Sequence, residues 1–241
     1  MSVFASLVER LADLLQPLFG ASAAAAAIVL FTAFVRLLVH PLSRAAARGQ
    51  KARAALQPEI AELRRRHGRD PERLQRAVLE LHAREKVSPL SGCLPGLLQL
   101  PAFFLLYHLF SSGTIGGRPN ALLGHELFAA PLGGRWADAL GDGGVFGGPG
   151  LVYAGLFALV AVVAFFGYRL TRRAMAAHAA LTAAGGDGGD QQVPGMAAMT
   201  RALPFTSFLT LVTVAVVPLA AALYVVTSTT WSVAERAVLY R

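Results

Sequence analysis

Long apolar runs with almost no charge dominate the pattern of hydrophobic and polar positions along this chain. The first clear run covers residues 21–39, and its only charged residue is Arg36. A helix needs roughly 20 consecutive apolar residues to cross the hydrocarbon core of a bilayer. The run therefore predicts a transmembrane helix, which we assign with its flanks to residues 21–43.

Three further apolar runs predict four more spans. Residues 94–110 and 151–170 are each about the length of one span. The last run, residues 202–234, is uncharged, and as one helix it would be roughly 50 Å long, well beyond a core of roughly 30 Å. Pro218 lies at its middle, so we predict two short spans at 202–217 and 219–234.

The first twenty residues predict an amphipathic helix. Its apolar positions repeat at helical spacing, and they are Val3, Leu7, Leu11, Leu14 and Leu18. We expect residues 1–20 to lie along the outer membrane surface. A cleaved signal peptide is the alternative, but no basic segment precedes the apolar run, and acidic residues do.

Residues 44–88 are polar and predict a helical hairpin. Apolar residues recur at helical spacing on either side of Gly68, and they are Leu56, Ile60, Leu63, Leu74, Val78 and Leu81. Asp70-Pro71 is a helix start signal, with an acceptor at the N-cap and proline at the first helical position. The chain is thus predicted to be an all-α membrane protein, with five transmembrane helices and a hairpin between the first two.

Composition supports a membrane protein and gives it an orientation. The chain is 55% hydrophobic and 15% charged, with a mean hydropathy of +0.52 and a net charge of +8. Arginine and lysine concentrate at 44–88, 171–201 and 235–241, which predicts that these segments are cytoplasmic. The N-terminus and the glycine-rich loop 111–149, to which we assign no structure, are then outside.

The sequence offers no metal or redox chemistry. Its single cysteine, Cys93, excludes an intrachain disulfide, and no Cys/His spacing typical of zinc is present. No phosphate-binding loop of the Walker type occurs. We therefore expect neither a cofactor nor an enzyme.

Arg36 is the strongest candidate functional residue. A charge within a span costs at least about 2.5 kcal/mol and requires a reason. One reason is snorkelling of its side chain to the headgroups; another is function. Thr32, Gln99 and Tyr107 add polar groups within spans, where interhelical hydrogen bonding is the simpler interpretation. Together these residues predict a polar groove that is open to the cytoplasm.

Several motifs resemble the YidC/Oxa1/Alb3 insertase family. The matching segments are Val35-Arg36-Leu37 with His40-Pro41-Leu42, Leu56-Gln57-Pro58-Glu59-Ile60, Pro89 with Gly92-Cys93-Leu94-Pro95, Gln99, Pro101 and Leu106-Tyr107, and finally Pro218, Leu223-Tyr224 and Ser228. Ser88, Ala220 and Val225 depart from the family pattern. The resemblance extends from about Thr32 to Arg236.

The resemblance implies a fold, an activity and partners. Family members form a five-helix bundle with a groove that is open to the cytosol and to lipid, and they insert and help fold the transmembrane segments of client proteins. It adds Tyr224 and Ser228 to the groove residues Arg36, Thr32, Gln99 and Tyr107. The expected partners are nascent membrane proteins and lipids at a bacterial cell membrane. Whether a ribosome or the Sec translocon assists is left open.

The basic hairpin has two interpretations. Its arginines, among them Arg64, Arg65, Arg66 and Arg69, are at least a topology determinant on a solvated face, and the sharper interpretation is that they also contact anionic lipid, ribosomal RNA or an acidic partner surface. Aromatic residues do not interleave them, which disfavours specific nucleic-acid binding.

Other classes of function fit the sequence less well. A transporter would show inverted repeats and broken helices at matching positions. A membrane scaffold would need the hairpin charges but not Arg36. An intramembrane enzyme would need a catalytic constellation within the spans, and none is evident.

Overall fold

The computed structural model describes residues 2–67, 70–87, 94–184 and 203–239, which are mostly helical. The helices are α1 (Ser2–Phe19), α2 (Ala23–Ala55), α3 (Gln57–His67), α4 (Pro71–Arg84), α5 (Leu94–Ser111), α6 (Trp136–Gly141), α7 (Gly148–Ala184), α8 (Leu209–Val216) and α9 (Leu219–Leu239). Short 3-10 turns cover Gly20–Ser22, Ala121–Gly124 and Leu203–Phe208. Two antiparallel pairs of two-residue strands complete the fold, β1 (Thr114–Ile115) with β2 (Arg118–Pro119), and β3 (Glu126–Leu127) with β4 (Ala130–Pro131).

Helix α9 lies at the centre of the bundle. It contacts α2, α5, α7 and α8, and its first two turns, from Leu219 to Tyr224, are buried. Ala220, Ala221 and Ala222 are fully buried there. Small side chains let helices approach closely, which is how helices associate in lipid without a hydrophobic driving force.

Large apolar side chains lie on the outside of the bundle. Leu30 and Phe34 of α2 and Phe165 and Phe166 of α7 are all exposed. Soluble monomers rarely expose such contiguous apolar surface. The pattern is that of helices whose outer faces meet lipid.

Two helical segments in the described part of the chain are long and apolar enough to cross a membrane. They are Val3–Ala55 and Gly148–Ala177, and Leu203–Val216 is a shorter apolar helix. This criterion uses length and composition alone. The arrangement of five spans therefore stays a prediction.

Two helices run further than the predicted spans. Helix α2 continues without a break through Pro41 to Ala55, so the hairpin helices begin at Gln57 instead of residue 44. Helix α7 continues past Leu170 to Ala184. Both extensions are rich in alanine and arginine, which favour helix strongly enough for α2 to continue through Gly49.

The last apolar run is interrupted at Pro218. Helix α8 ends at Val216 and α9 begins at Leu219. Val217 is extended, with φ −84° and ψ 157°, as expected for a residue that precedes proline.

Helices α3 and α4 form a hairpin with a small core of its own. Leu56, Ile60 and Leu81 are buried together there. Asp70 caps α4 by accepting a hydrogen bond from the Arg73 amide at 3.1 Å. Gly68, at which we placed the break, lies outside the described residues.

The loop 111–149 is structured, although its sequence predicted no elements. Besides the strand pairs it contains α6, and its Leu122 and Leu132 are fully buried. The amides of Leu219 and Ala220 donate to the carbonyls of Gly134 and Leu132 at 2.9 and 2.8 Å. These bonds satisfy amides at the start of α9 that have no partner within their own helix.

Helix α1 packs against α2 through small residues. Ala5, Val8 and Ala12 are buried in the main core. Four of the five predicted apolar-face residues, Val3, Leu7, Leu14 and Leu18, are exposed. The apolar face of α1 is thus available to lipid, and the position of α1 at the membrane surface stays a prediction.

Candidate functional site

Arg36 joins the first predicted span to the last one. It lies midway along α2, and its guanidinium Nε donates to the hydroxyl of Ser228 on α9 at 3.1 Å. Its Nη2 donates to the same hydroxyl. Arg36 is partly buried, and Ser228 is buried. A guanidinium has five N–H donors, so Ser228 engages two of them.

An acidic residue lies one turn further along the same interface. His40 follows Arg36 by one turn of α2, and its Nδ1 lies 2.6 Å from Oε1 of Glu235 on α9. Sequence reasoning placed Glu235 in a tail beyond the last span and missed it.

The signal that could have found Glu235 is its spacing. Ser228 and Glu235 are seven residues apart, which places them on one face of a helix two turns apart. Arg36 and His40 are one turn apart on α2. When α9 continues past residue 234, Ser228 can lie opposite Arg36 and Glu235 can lie opposite His40.

Aromatic side chains line the adjoining contact between α5 and α9. Tyr224 is buried, and its ring centroid lies 6.0 Å from those of both Phe103 and Phe110. Tyr107 is half-buried and stacks on Phe103 at 5.7 Å. Phe103 therefore connects two of the predicted groove residues, Tyr107 and Tyr224.

The remaining predicted groove residues have different surroundings. Thr32 is buried, and its hydroxyl donates to the carbonyl of Ile28 in its own helix at 2.7 Å. That hydroxyl proton is therefore not directed at Arg36. Gln99 lies on α5, and its side chain is outside the described part of the structure.

The hairpin arginines form ion pairs within the hairpin. Arg66 donates to Glu62 at 3.0 Å, and Arg65 pairs with the same carboxylate. The hydrogen bond from Arg66 and the charge of Arg65 hold the pKa of Glu62 below its usual range. Arg64 is exposed. Arg69 lies outside the described residues.

Within the described ranges, no group of three His, Cys, Asp or Glu side chains is arranged to hold a metal ion. The chemistry that these residues offer is electrostatic: a partly buried cation, fixed by a hydroxyl, beside aromatic side chains.

Together, the helical bundle with its apolar outer surface and the cation between α2 and α9 define a helical membrane protein. A sequence model of the 60Kd inner membrane protein family matches residues 14–241. The chain belongs to this family. Membership of the YidC/Oxa1/Alb3 family, predicted from the motifs, is thereby confirmed.

Similar proteins carry the name "Membrane protein insertase YidC". The relative from Anaeromyxobacter sp. (strain Fw109-5) is 44% identical over 101 residues, which is 42% of this chain and 18% of the relative. The relative from Magnetococcus marinus is 44% identical over 104 residues, 43% of this chain and 19% of the relative. The relative from Clostridium perfringens (strain 13 / Type A) is 40% identical over 87 residues, 36% of this chain and 37% of the relative. The matched segment thus spans less than two thirds of each relative's length.

Proposed function

We propose that this protein is a membrane insertase, which moves transmembrane segments of client proteins from the cytoplasm into the bilayer. The observation that carries the proposal is Arg36, a cation inside the first span that is held by Ser228 of the last span. The family match and the insertase relatives support the same activity.

The barrier to insertion lies in the polar segment that must cross with the client's apolar helix. Its charges and its backbone must leave water, which is costly without compensating partners. Arg36 offers such a segment an attractive site part of the way across. A carboxylate at a few Å would gain about 1–4 kcal/mol there, depending on the effective dielectric.

The proposed groove lies between α2, α5 and α9. Arg36 supplies the charge and Gln99 and Tyr107 supply polar or aromatic surface, while the buried Thr32, Tyr224 and Ser228 form the wall behind them. The groove opens to the cytosol and to lipid. Once the polar segment has crossed, burial of the client's apolar helix in lipid drives release, so insertion needs neither nucleotide nor cofactor.

The proposed topology has five spans in a bacterial cell membrane, with the N-terminus outside and the C-terminus in the cytoplasm. The spans are residues 21–43, 94–110, 151–170, 202–217 and 219–234. The positive charge of segments 44–88, 171–201 and 235–241 supports this orientation. Residues 1–20 then lie on the outer surface, and loop 111–149 covers the outer end of the bundle.

Nascent membrane proteins and lipids are the proposed partners. The ion pairs that Arg65 and Arg66 form with Glu62 lower the net charge that these two residues present. One carboxylate offsets only one of the two positive charges, so Arg64, Arg65, Arg66 and Arg69 all stay candidates for contact with lipid, a ribosome or the Sec translocon.

The experiment compares two matched clients, one with acidic residues in its translocated segment and one with neutral residues. Insertion is measured with wild-type protein and with the Arg36→Lys, Arg36→Ala and Arg36→Glu variants at equal expression. We expect Arg36→Lys to retain most activity. We expect Arg36→Ala to lose roughly tenfold or more on the acidic client, and Arg36→Glu to lose more because it repels that client.

The neutral client is the internal control. Its insertion should change far less across the four proteins, because it gains nothing from the charge. Equal insertion of the acidic client by all four would mean that Arg36 only snorkels to the headgroups.

A further inference from the structure

A large cleft lies on the side of the bundle between α7, α9 and the 3-10 turn Leu203–Phe208. Its volume is about 1700 Å³, which exceeds the roughly 300–1,000 Å³ typical of sites for drug-sized ligands. It is separate from the contact between Arg36 and Ser228, neither of which lines it.

The walls of the cleft are mainly apolar. Phe166 of α7 and Phe205 of the 3-10 turn are 53% and 58% exposed and line it. Tyr168 packs against Phe205 with a distance of 5.3 Å between ring centroids. Large exposed aromatic residues are expensive in water, but they suit contact with an acyl chain.

Gly167 lies where α7 meets the 3-10 turn and α9. A Cβ atom at this position would lie 3.2 Å from Oγ of Ser207 and 3.5 Å from Cγ2 of Val233. The absence of a side chain at Gly167 therefore lets α7 pack closely against both the 3-10 turn and α9 beside the cleft.

Three arginines line the cleft, Arg172 and Arg173 of α7 and Arg236 of α9. Arg172 is oriented by Tyr168: its Nη1 donates to the tyrosine hydroxyl at 3.3 Å, and its Cζ lies 5.7 Å from the ring centroid. Among the residues that the structure describes, none of the three arginines forms an ion pair with a carboxylate. The hairpin differs, since Arg65, Arg66, Arg73, Arg76 and Arg84 are all paired there.

The cleft lies at the end of a helix that is long enough to cross the membrane. The segment Gly148–Ala177 meets that criterion, and Arg172 and Arg173 lie in its last two turns. Phe166 is one to two turns closer to the middle of the segment. The arginines thus lie at the level of the lipid headgroups, and Phe166 lies at the level of the acyl chains. This is the order of the charged and apolar parts in a phospholipid.

We propose that this cleft binds one anionic phospholipid. The phosphate of the headgroup accepts hydrogen bonds from Arg172, Arg173 and Arg236, since guanidinium groups bind phosphate oxygens in a paired geometry. One acyl chain lies along Phe166 and Phe205. Basic pockets between transmembrane helices are a recognised kind of site for anionic lipids. The inference rests on the membrane location and is independent of the insertase proposal.

The test is native mass spectrometry of the full chain, purified in a neutral detergent and titrated with dioleoyl phosphatidylglycerol or dioleoyl phosphatidylcholine. We expect a first phosphatidylglycerol to bind at least tenfold more tightly than phosphatidylcholine. The triple variant Arg172→Gln, Arg173→Gln, Arg236→Gln should weaken that binding by about 10- to 100-fold. The triple lysine variant at the same positions keeps the charge and should retain most of the affinity.

Two controls separate this site from general electrostatic attraction. Arg73→Gln, Arg76→Gln, Arg84→Gln removes the same number of charges from the hairpin and should leave phosphatidylglycerol binding unchanged. Glycerol 1-phosphate, a headgroup without acyl chains, should not displace the lipid at equal concentration. Equal binding of the two lipids, or equal loss in both triple glutamine variants, would overturn the proposal, and displacement by glycerol 1-phosphate would show a simple anion site.

Discussion

Ser228 is the residue on which the geometry of Arg36 depends. Its hydroxyl accepts hydrogen bonds from Nε and Nη2 of Arg36 across the contact between α2 and α9. Hydrogen bonds between helices in a membrane contribute about 0.6 kcal/mol on average and up to about 1.7 kcal/mol. A bond from a charged donor is expected at the upper end of that range.

We predict that Ser228→Ala lowers the free energy of unfolding by about 1.5 kcal/mol, measured by thermal or denaturant unfolding in detergent. Ser232→Ala is the matched control on the same helix, because its hydroxyl donates only within α9, to the carbonyl of Ser228 at 2.9 Å. Equal stability of the two variants would mean that the bond to Arg36 contributes nothing to folding.

At the residue scale, the sequence identified single polar positions but not their pairing. Arg36 could be selected because a charge in an apolar run is conspicuous. Glu235 was missed because it follows the apolar run directly and resembles the first residue of a solvated tail, so its spacing from Ser228 was not considered. Its contact with His40 depends on how α2 and α9 pack, and helix packing is not encoded in local patterns.

At the element scale, the hairpin of α3 and α4 depends on a small core. Leu81 is 5% exposed and packs with Leu56 and Ile60, whereas Leu79 on the opposite side of α4 is 52% exposed. Truncation of a buried leucine typically costs about 2–5 kcal/mol. Three buried residues form the hairpin core, so such a loss should unfold the hairpin. The central bundle has many more buried residues.

We therefore predict that Leu81→Ala increases amide hydrogen exchange in residues 57–84 at least tenfold and leaves exchange in α9 unchanged. Leu79→Ala should leave the hairpin as in wild type. The comparison is made near neutral pH. Because the pKa of Glu62 is lowered, its ion pairs stabilise the hairpin fully above the ordinary pKa of 4.5, and that stability is lost as the pH falls through the lowered pKa. Slower exchange in the wild-type hairpin than in α9 would contradict the small-core account.

The apolar runs predicted where helices lie, but not how far they continue. Hydrophobicity ends near residue 43, whereas α2 continues past both Pro41 and Gly49 to Ala55, so the end of the apolar run did not mark the end of the helix. The structure of loop 111–149 was harder still to predict from the sequence. Its order comes from long-range contacts, such as the hydrogen bonds from α9 to Leu132 and Gly134, and from Asn120, whose side chain donates to the carbonyls of Leu109 and Ser112.

At the scale of the whole molecule, the proposed topology rests on the distribution of charge along the chain. We predict that a membrane-impermeant maleimide labels Ser2→Cys in intact, right-side-out membranes and labels Tyr240→Cys only after permeabilisation. Both variants carry Cys93→Ser so that the introduced thiol is the only one. Labelling of both positions from the same side would require an even number of spans, and the break at Pro218 would then not separate two spans.

We propose that this chain alone lowers the barrier to insertion. The most direct measurement reconstitutes the purified protein into liposomes and adds a client with one apolar segment and a short acidic outer segment, with no other protein present. Protease protection then reports how much client has crossed. We expect the amount of protease-protected client to be well above that in empty liposomes, and to be lower with the Arg36→Ala variant. Protection equal to that of empty liposomes, with the protein folded and correctly oriented, would contradict it.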